Sequence, residues 1–307
     1  MIVVIAKKNQ LKTVKMKPEE TIPSSIPDIE ELPEKYWQNR WSRQRLARLA
    51  VPQFGSPQSF WNDKKRLEDH FIKSLNNWRK EAEDRIAVMG IRDGCRVLDI
   101  GAGTGTLSIP LAAHGCDVVA VEPAGAMGEA LLLYRQEQQT RPITLIQKTW
   151  EDVTIEELGD PFDVVVASYS LMLTDIGEAI RKMNAVCTGT VHLFWFLTQP
   201  LTARLNGALW PALHGADFPG EPTAEILWQV LYDMEIYANL VVEPGCEPAF
   251  FPTIDDAVRA LYQRLNCTNP EQEEIIRKYC ENSLQKTDLG YRVPGRALGA
   301  HIWWNCR

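Results

Sequence analysis

The stretch Val97-Leu-Asp-Ile-Gly-Ala-Gly-Thr-Gly105 decides the fold that this sequence predicts. Apolar residues lead into glycines at 101, 103 and 105, and a helix-forming run follows over residues 106–113. This order predicts a buried strand, a tight glycine turn and the start of a helix. Because such a turn presents backbone N–H groups to a nucleotide-like ligand, the sequence predicts a binding site between this strand and this helix.

The charge at the end of the strand narrows the choice of ligand. Asp99 lies two residues before Gly101, where a dinucleotide-binding fold directs the positive end of a helix at a pyrophosphate. A carboxylate at this position would repel a pyrophosphate and attract an ammonium group. The sequence therefore favours a ligand that carries an ammonium group and no phosphate. The alternative is a strand-end carboxylate that caps a neighbouring loop.

These residues resemble the first motif of the class I S-adenosylmethionine-dependent methyltransferases, Asp/Glu-x-Gly-x-Gly-x-Gly. The resemblance implies S-adenosylmethionine as the cofactor. A second apolar strand ends at Glu122, which is placed to accept hydrogen bonds from both ribose hydroxyls. Pro123 and Met127 match the family's Glu-Pro-x-x-x-Met run, which packs on the adenine face. Ordinary core packing is the alternative for Met127.

The resemblance extends over roughly residues 95–196. Trp150 and Glu151 follow a third apolar strand, where the family flanks adenine, although packing is an equal alternative for Trp150. Ser168 ends a fourth strand, which in the family lies under the methionine part of the cofactor. The implied cofactor-binding residues are Asp99, Gly101, Ala102, Gly103, Thr104, Gly105, Glu122, Pro123, Met127, Trp150, Glu151 and Ser168.

The alternation of strands and helices predicts an α/β fold with a doubly wound, seven-stranded, mostly parallel sheet. The resembled family joins its last two strands by a hairpin and makes the last strand antiparallel, whereas about 50 residues intervene here. Thr253 and Asn269 predict the starts of two helices in this insertion. The strands are expected at residues 97–100, 117–122, 143–147, 162–168, 191–196, 238–243 and 298–304.

The chain is expected to divide into two regions. Residues 1–60 form an N-terminal arm and an amphipathic helix, in which tryptophan and leucine pack inward while arginines stay exposed. Residues 61–307 form the methyltransferase domain, which begins with a long helix that carries Trp61 and Phe71 as candidates for ligand contact. The domain includes a rim loop at 197–222 and a helical lid insertion at about 246–295.

Composition restricts the partners. A net charge of −7 and a pI near 5.4 argue against a protein that holds duplex nucleic acid mainly through phosphates. Seven cysteines without a Cys-x-x-Cys pattern favour a reducing, cytoplasmic location. The sequence has neither metal-ligand spacing nor an apolar run long enough to cross a membrane. We therefore expect no metal and no membrane partner, and the oligomeric state stays open.

The resemblance implies methyl transfer to a small molecule or to a protein side chain. The fourth strand continues Ser168-Tyr-Ser-Leu-Met172, which lacks the Asn/Asp-Pro-Pro-Tyr/Phe motif of enzymes that methylate adenine or glutamine amides. Tyr169 and His214 are candidates to orient or deprotonate the acceptor, with a plain surface histidine as the alternative for His214. A non-catalytic cofactor-binding scaffold and an RNA methyltransferase remain alternatives, and Asp99 disfavours a nicotinamide-dependent oxidoreductase.

Overall fold

The computed structural model describes residues 2–7, 10–15, 35–51, 75–243, 250–265 and 267–306. The chain forms two compact units, Met1–Tyr36 and Trp37–Arg307. In the first unit, β1 (Ile2–Lys7) pairs antiparallel with β2 (Gln10–Lys15). From the sequence we predict only an arm here and not this hairpin, which β-branched residues favour. Trp61 and Phe71 lie outside the described residues.

A seven-stranded sheet forms the centre of the second unit, and it confirms the predicted fold class. Its strands are β3 (Arg96–Ile100), β4 (Asp117–Val121), β5 (Ile143–Ile146), β6 (Phe162–Ser168), β7 (Cys187–Phe196), β8 (Asn239–Glu243) and β12 (Gly299–Asn305). They lie in the order β5-β4-β3-β6-β7-β12-β8. The pairs from β5 to β7 are parallel, while β12 is antiparallel to both of its neighbours. The antiparallel last strand is confirmed.

Helices cover both faces of this sheet. Alternate strand residues point to opposite faces, so Val97 and Val164 pack with one group of helices while Leu98 and Val165 pack with another. The helices are α1 (Tyr36–Leu49), α2 (Leu75–Met89), α3 (Ser108–Ala113), α4 (Gly125–Glu137), α5 (Ile155–Leu158), α6 (Ile176–Val186), α7 (Leu201–His214), α8 (Ala224–Asp233), α9 (Ile254–Arg264) and α10 (Pro270–Ser283). Helices α2, α3 and α4 pack on the first face, and α1, α6 and α8 pack on the second.

Helix α1 packs differently from the amphipathic helix that the sequence predicts. Trp41 is buried as expected, and its indole Nε1 donates to the Leu173 carbonyl at 2.8 Å. The prediction of exposed arginines is wrong at Arg45, whose side chain is only 2% exposed. Arg45 is buried because Glu221 lies 2.5 Å from its guanidinium and neutralises it. Leu46, in contrast, is exposed.

The predicted rim loop at 197–222 is wrong over most of its length, because residues 201–214 form α7. Pro211 and the glycines that follow it indicate a loop in the sequence. In the structure Pro211 lies in the last turn of the helix, where its missing N–H removes only one backbone hydrogen bond. Burial of one apolar stripe outweighs that cost. The stripe consists of Leu201, Leu205, Leu209 and Leu213.

The insertion before the last strand forms a small helical subdomain with α7. Its two helices begin after Thr253 and Asn269, whose side chains accept hydrogen bonds from the backbone, as predicted. Buried residues of α9 and α10 pack against the apolar stripe of α7. The strands β9 (Phe250–Phe251), β10 (Gln285–Thr287) and β11 (Gly290–Arg292) form a small sheet that the sequence analysis does not predict. A lid function for this subdomain stays a prediction.

Two buried histidines connect β7 to β12. His192 is buried, and its Nδ1 lies 2.9 Å from Nε2 of His301. The His301 ring also stacks on Phe194 with a centroid distance of 4.4 Å. Burial lowers the pKa of His192 to about 3 and that of His301 to about 4. Both rings are therefore neutral in the folded protein at neutral pH.

This histidine pair predicts a loss of stability in mild acid. Below a pH of about 6.5 the unfolded chain takes up protons that the folded rings take up only near pH 3 to 4, so the free energy of unfolding falls as the pH falls. The limiting slope is about 1.4 kcal/mol per pH unit for each ring. We expect urea titrations of the His192→Leu/His301→Leu variant to show a smaller loss over this range. Equal losses in both proteins would contradict the assignment. The raised pKa of Asp99, about 6, has the opposite effect, because it increases the free energy of unfolding as the pH falls. Asp99 is present in both proteins, so the difference between their titrations reports on the two histidines.

Candidate functional site

The glycine turn connects the end of β3 to α3 in the geometry that the sequence predicts. Gly101, Gly103 and Gly105 have φ values of 72°, 57° and 86°, in the left-handed region that favours glycine. Space is most restricted at Gly101, where an added Cβ would lie 2.3 Å from the Cβ of Ser170. Ser170 approaches closely because its hydroxyl donates to the Ile100 carbonyl at 2.5 Å. The segment after β6 is thus fixed against the turn.

The expectation that the turn presents its backbone N–H groups to a ligand is wrong for most of them, because they are used within the protein. The N–H groups of Gly101 and Ala102 donate to the Val121 carbonyl at 2.8 and 3.1 Å, and that of Gly105 donates to the Ala102 carbonyl at 2.9 Å. The Gly103 N–H donates to the Glu122 carboxylate at 2.9 Å. A phosphate-binding turn instead directs several such groups at its anion. This turn therefore suits a nucleoside ligand without a phosphate.

Glu122 lies directly after β4 at the carboxyl edge of the sheet. Its carboxylate accepts hydrogen bonds from the N–H groups of Gly103 and Ala124, at 2.9 and 2.8 Å. Burial raises the pKa of Glu122, while these two hydrogen bonds oppose the shift. Each carboxylate oxygen keeps a second lone pair, so the oriented side chain can also accept from a pair of hydroxyls. Glu122 thus has the two acceptors that a contact with a pair of ribose hydroxyls requires.

Asp99 is buried at the end of β3 and has a structural partner. The Ser108 hydroxyl on α3 donates to its carboxylate at 2.6 Å. Burial raises the pKa of Asp99 to about 6, and the Ser108 hydrogen bond opposes that shift. This bond is what the loop-capping alternative predicts, since it ties the end of the strand to the first turn of the helix. A contact between Asp99 and an ammonium group stays a prediction.

Met127 and Trp150 occupy different surroundings. Met127 is buried on α4, and an added Cβ at Gly103 would lie 3.4 Å from its sulfur, so its thioether lies against the glycine turn. Trp150 is also buried, and its indole Nε1 donates to the Ala179 carbonyl at 3.3 Å. The ammonium of Lys182 lies 4.4 Å from the Trp150 ring centroid. The structure thus gives Trp150 the packing contacts of the alternative interpretation.

The remaining predicted cofactor residues frame the same edge of the sheet. Thr104 is buried within the turn, Pro123 is half-buried after β4, and Glu151 is exposed beyond Trp150. Ser168 is half-buried as the last residue of β6. The structure thus assembles the turn, Glu122, Met127 and the end of β6, which are far apart in the sequence.

The two acceptor candidates lie in different parts of the structure. Tyr169 follows β6 at the carboxyl edge, as predicted. The prediction that His214 lies in a rim loop is wrong, because His214 ends α7. Its Nε2 lies 3.1 Å from the Leu265 carbonyl, and its ring packs 4.2 Å from Trp210. The apolar stripe of α7 places His214 in the helical subdomain and gives it a structural contact there.

Three polar residues near the carboxyl edge were not predicted from the sequence: Ser170, Arg85 and Glu243. Ser170 lies two residues after the end of β6, and its nearness to the glycine turn depends on the β3–β6 pairing. Glu243 is the last residue of β8, and a strand-end carboxylate is the same signal that identified Glu122. Arg85 lies on α2 and has no signal of this kind in the sequence.

Comparisons with known proteins relate the region that contains this site to methyltransferases. A family model described as a methyltransferase domain matches residues 97–189. An uncharacterized protein of Haemophilus influenzae is 25% identical over 263 residues, which cover 84% of this chain and 92% of that protein. The ubiquinone biosynthesis O-methyltransferase of Azorhizobium caulinodans is 34% identical over 107 residues, which cover 32% of this chain and 41% of that enzyme. The match to this enzyme thus spans less than half of its length.

A solved structure shows the same fold. The YcgJ protein of Bacillus subtilis superposes with a TM-score of 0.51 at 17% identity, over 74% of this chain and 97% of that chain. At this identity the likeness concerns the fold alone. Within the described residues, no helix is both long and apolar enough to span a membrane.

Proposed function

Because this chain belongs to the class I S-adenosylmethionine-dependent methyltransferases, we propose that it transfers the methyl group of S-adenosylmethionine to a small-molecule acceptor. The observation that carries the proposal is the glycine turn, whose N–H groups are largely bonded within the protein and which has the carboxylates of Asp99 and Glu122 beside it. Such a site suits a ligand with hydroxyls and a positive charge. The name of the Azorhizobium relative, an O-methyltransferase of ubiquinone biosynthesis, supports a small acceptor.

The residues of the site suit each part of this cofactor. Glu122 would accept the ribose hydroxyls, Met127 would pack on the adenine, and Asp99 would face the ammonium group. Thr104 and Ser168 would line the methionine part. When bound, the cofactor supplies a methyl group that is already activated by a positively charged sulfur. The protein then has to align the acceptor, exclude water and remove a proton where the acceptor carries one.

An assay with methyl-labelled S-adenosylmethionine and a source-cell extract tests this proposal. We expect label in the small-molecule fraction with the natural protein and with Glu137→Ala, which removes an exposed carboxylate of α4. Glu122→Ala should lower the label to background, because it removes the carboxylate that receives the ribose. Label in the protein or RNA fraction would contradict a small acceptor. No label in any fraction, with cofactor binding measured by calorimetry, would favour the non-catalytic scaffold.

A further inference from the structure

Tyr169, Glu243 and Arg85 form a second polar cluster at the edge of the sheet where the cofactor site lies. Strands β7 and β8 are both antiparallel to β12, so they run in the same direction. Strand β6 is parallel to β7. Glu243, at the carboxyl end of β8, therefore lies at the same edge as Tyr169, which follows the carboxyl end of β6.

The backbone and the neighbouring strands direct Tyr169 across this edge. Its φ is 53°, which is uncommon for a residue with a side chain, and its N–H donates to the Phe194 carbonyl at 2.9 Å. Its ring lies 5.0 Å from that of Phe196. Its hydroxyl passes over Gly299, where an added Cβ would lie only 2.2 Å from the hydroxyl oxygen. The Tyr169 hydroxyl can occupy this position because residue 299, at the start of β12, is a glycine.

The Tyr169 hydroxyl ends beside a carboxylate that has an arginine partner. It donates to Oε2 of Glu243 at 3.5 Å, which is long for a hydrogen bond from a hydroxyl to a carboxylate. Arg85 places its Nε 4.0 Å from the same oxygen, and its guanidinium lies 5.1 Å from the centre of the Tyr169 ring. The Glu243 side chain is 18% exposed. The cluster is therefore largely protected from water.

We propose that Tyr169 and Glu243 form the proton-accepting end of the acceptor site, and that the acceptor is a small molecule with a hydroxyl group. This inference rests on the proposed function, because it names the substrate class of the same site. Tyr169 follows Ser168, the residue expected under the methionine part of the cofactor, so its hydroxyl extends from the place where the methyl group would be presented.

The proposed step balances in protons and bonds. The acceptor oxygen gives its proton to the Tyr169 hydroxyl oxygen, while the hydroxyl passes its own proton to Oε2 of Glu243. The same acceptor oxygen forms a bond to the methyl carbon as the carbon–sulfur bond breaks, and the electron pair of that bond stays on sulfur. Glu243 then releases one proton to water. The net products are a methyl ether and a neutral thioether.

The charges of the cluster favour a hydroxyl over other acceptors. A hydroxyl becomes a good nucleophile only as its proton leaves, so it benefits from a base. A neutral amine is nucleophilic without one, and a carboxylate would be repelled by Glu243. Burial raises the pKa of Glu243, whereas Arg85 and the Tyr169 hydrogen bond lower it and Glu81 raises it. Arg85 and Glu81 face Glu243 from α2, Tyr169 faces it from the end of β6, and uncharged Gly299 is its partner on β12.

The acceptor class can be tested chemically before the acceptor is identified. The small-molecule fraction labelled in the extract assay is treated separately with mild alkali and with hot hydriodic acid. We expect volatile label from the acid treatment alone, as for a methyl ether. Label released by alkali would indicate a methyl ester, and label released by neither would indicate methylated nitrogen or carbon. Either result overturns this inference and leaves the proposed function standing, whereas no labelled product at all overturns both.

Variants test the roles of the two residues. We expect Tyr169→Phe and Glu243→Gln to lower the rate of labelling about 100-fold at neutral pH. Their affinity for S-adenosylmethionine in calorimetry should stay within twofold of the natural value. Tyr232→Phe removes an exposed hydroxyl and should keep the natural rate. The rate of Glu243→Gln should increase with pH as hydroxide replaces the missing base. A full rate with only a lower melting temperature would indicate a purely structural tie between α2 and β8 and overturn the inference.

A readout without cofactor or acceptor completes the test. In protein that carries ¹³C-labelled glutamate carboxyls, Glu243→Gln assigns the Glu243 signal, and the titration midpoint of that signal gives its pKa. We expect Tyr169→Phe to raise this pKa, because the Tyr169 hydrogen bond lowers it in the natural protein. An unchanged midpoint would show that the hydroxyl and the carboxylate are not coupled and would overturn the proposal.

Discussion

Gly101→Ala is expected to lower the free energy of unfolding by about 3 kcal/mol. Two costs add at this position. A residue with a side chain has to adopt a φ of 72°, which costs about 1–2 kcal/mol. The new Cβ would also lie 2.3 Å from the Cβ of Ser170, so the segment after β6 has to move. Because that segment leads from the end of β6, we also expect weaker cofactor binding.

Gly103→Ala is the matched control for this prediction. Gly103 has a φ of 57°, so alanine meets the same kind of backbone cost. Its Cβ would meet only the sulfur of Met127, at 3.4 Å, and a flexible thioether can yield. We expect a loss of about 1–2 kcal/mol in urea titrations of the cofactor-free protein. Equal losses in the two variants would show that the contact with Ser170 is not restrictive.

The local pattern of apolar residues predicted most strands of the sheet, because each strand is a short apolar run followed by turn-forming residues. The pattern at residues 97–105 marks the end of β3, and the acid at 122 marks the end of β4. Because these two strands pair in parallel, their ends lie side by side. The sequence could therefore predict which residues come together at this edge, because they lie at the ends of neighbouring strands, while their contact with a cofactor stays a prediction.

Features that depend on distant partners could not be predicted in this way. Arg45 is buried only because Glu221, far along the chain, neutralises it. Pro211 gives a loop signal that the buried stripe of α7 overrides. Glu243 reaches Tyr169 through the order β7-β12-β8, which no local pattern encodes. These are cases in which tertiary packing decides the conformation or the environment of a residue.

Asp99→Ala is expected to lower the affinity for S-adenosylmethionine about 100-fold or more, which is the range for removal of one partner of a buried charge pair. The difficulty is that Asp99 also receives the Ser108 hydrogen bond at 2.6 Å, so alanine removes a structural contact together with the charge. Asp99→Asn removes the charge and keeps an oxygen that can accept that bond. Ser108→Ala does the reverse, because it removes the hydroxyl donor and keeps the carboxylate.

The two roles of Asp99 thus give opposite patterns. If the carboxylate meets the ammonium group of the cofactor, Asp99→Asn weakens binding strongly, while Ser108→Ala costs about 1–3 kcal/mol of stability and leaves binding within a few-fold. If Asp99 only caps the helix, Ser108→Ala destabilises and Asp99→Asn binds normally. Calorimetry of each variant, with urea titrations alongside, distinguishes the two patterns.

The pH dependence of binding adds an independent criterion, because burial raises the pKa of Asp99 to about 6. Above that pH the carboxylate is ionised and attracts the ammonium group, whereas below it the neutral acid does not. We expect the affinity of the natural protein to fall as the pH falls through about 6, and the dependence to be much weaker in Asp99→Asn. Glu122, whose pKa is also raised, accounts for a residual slope in that variant. The same slope in both proteins would assign the dependence to Glu122 and leave Asp99 with the structural role alone.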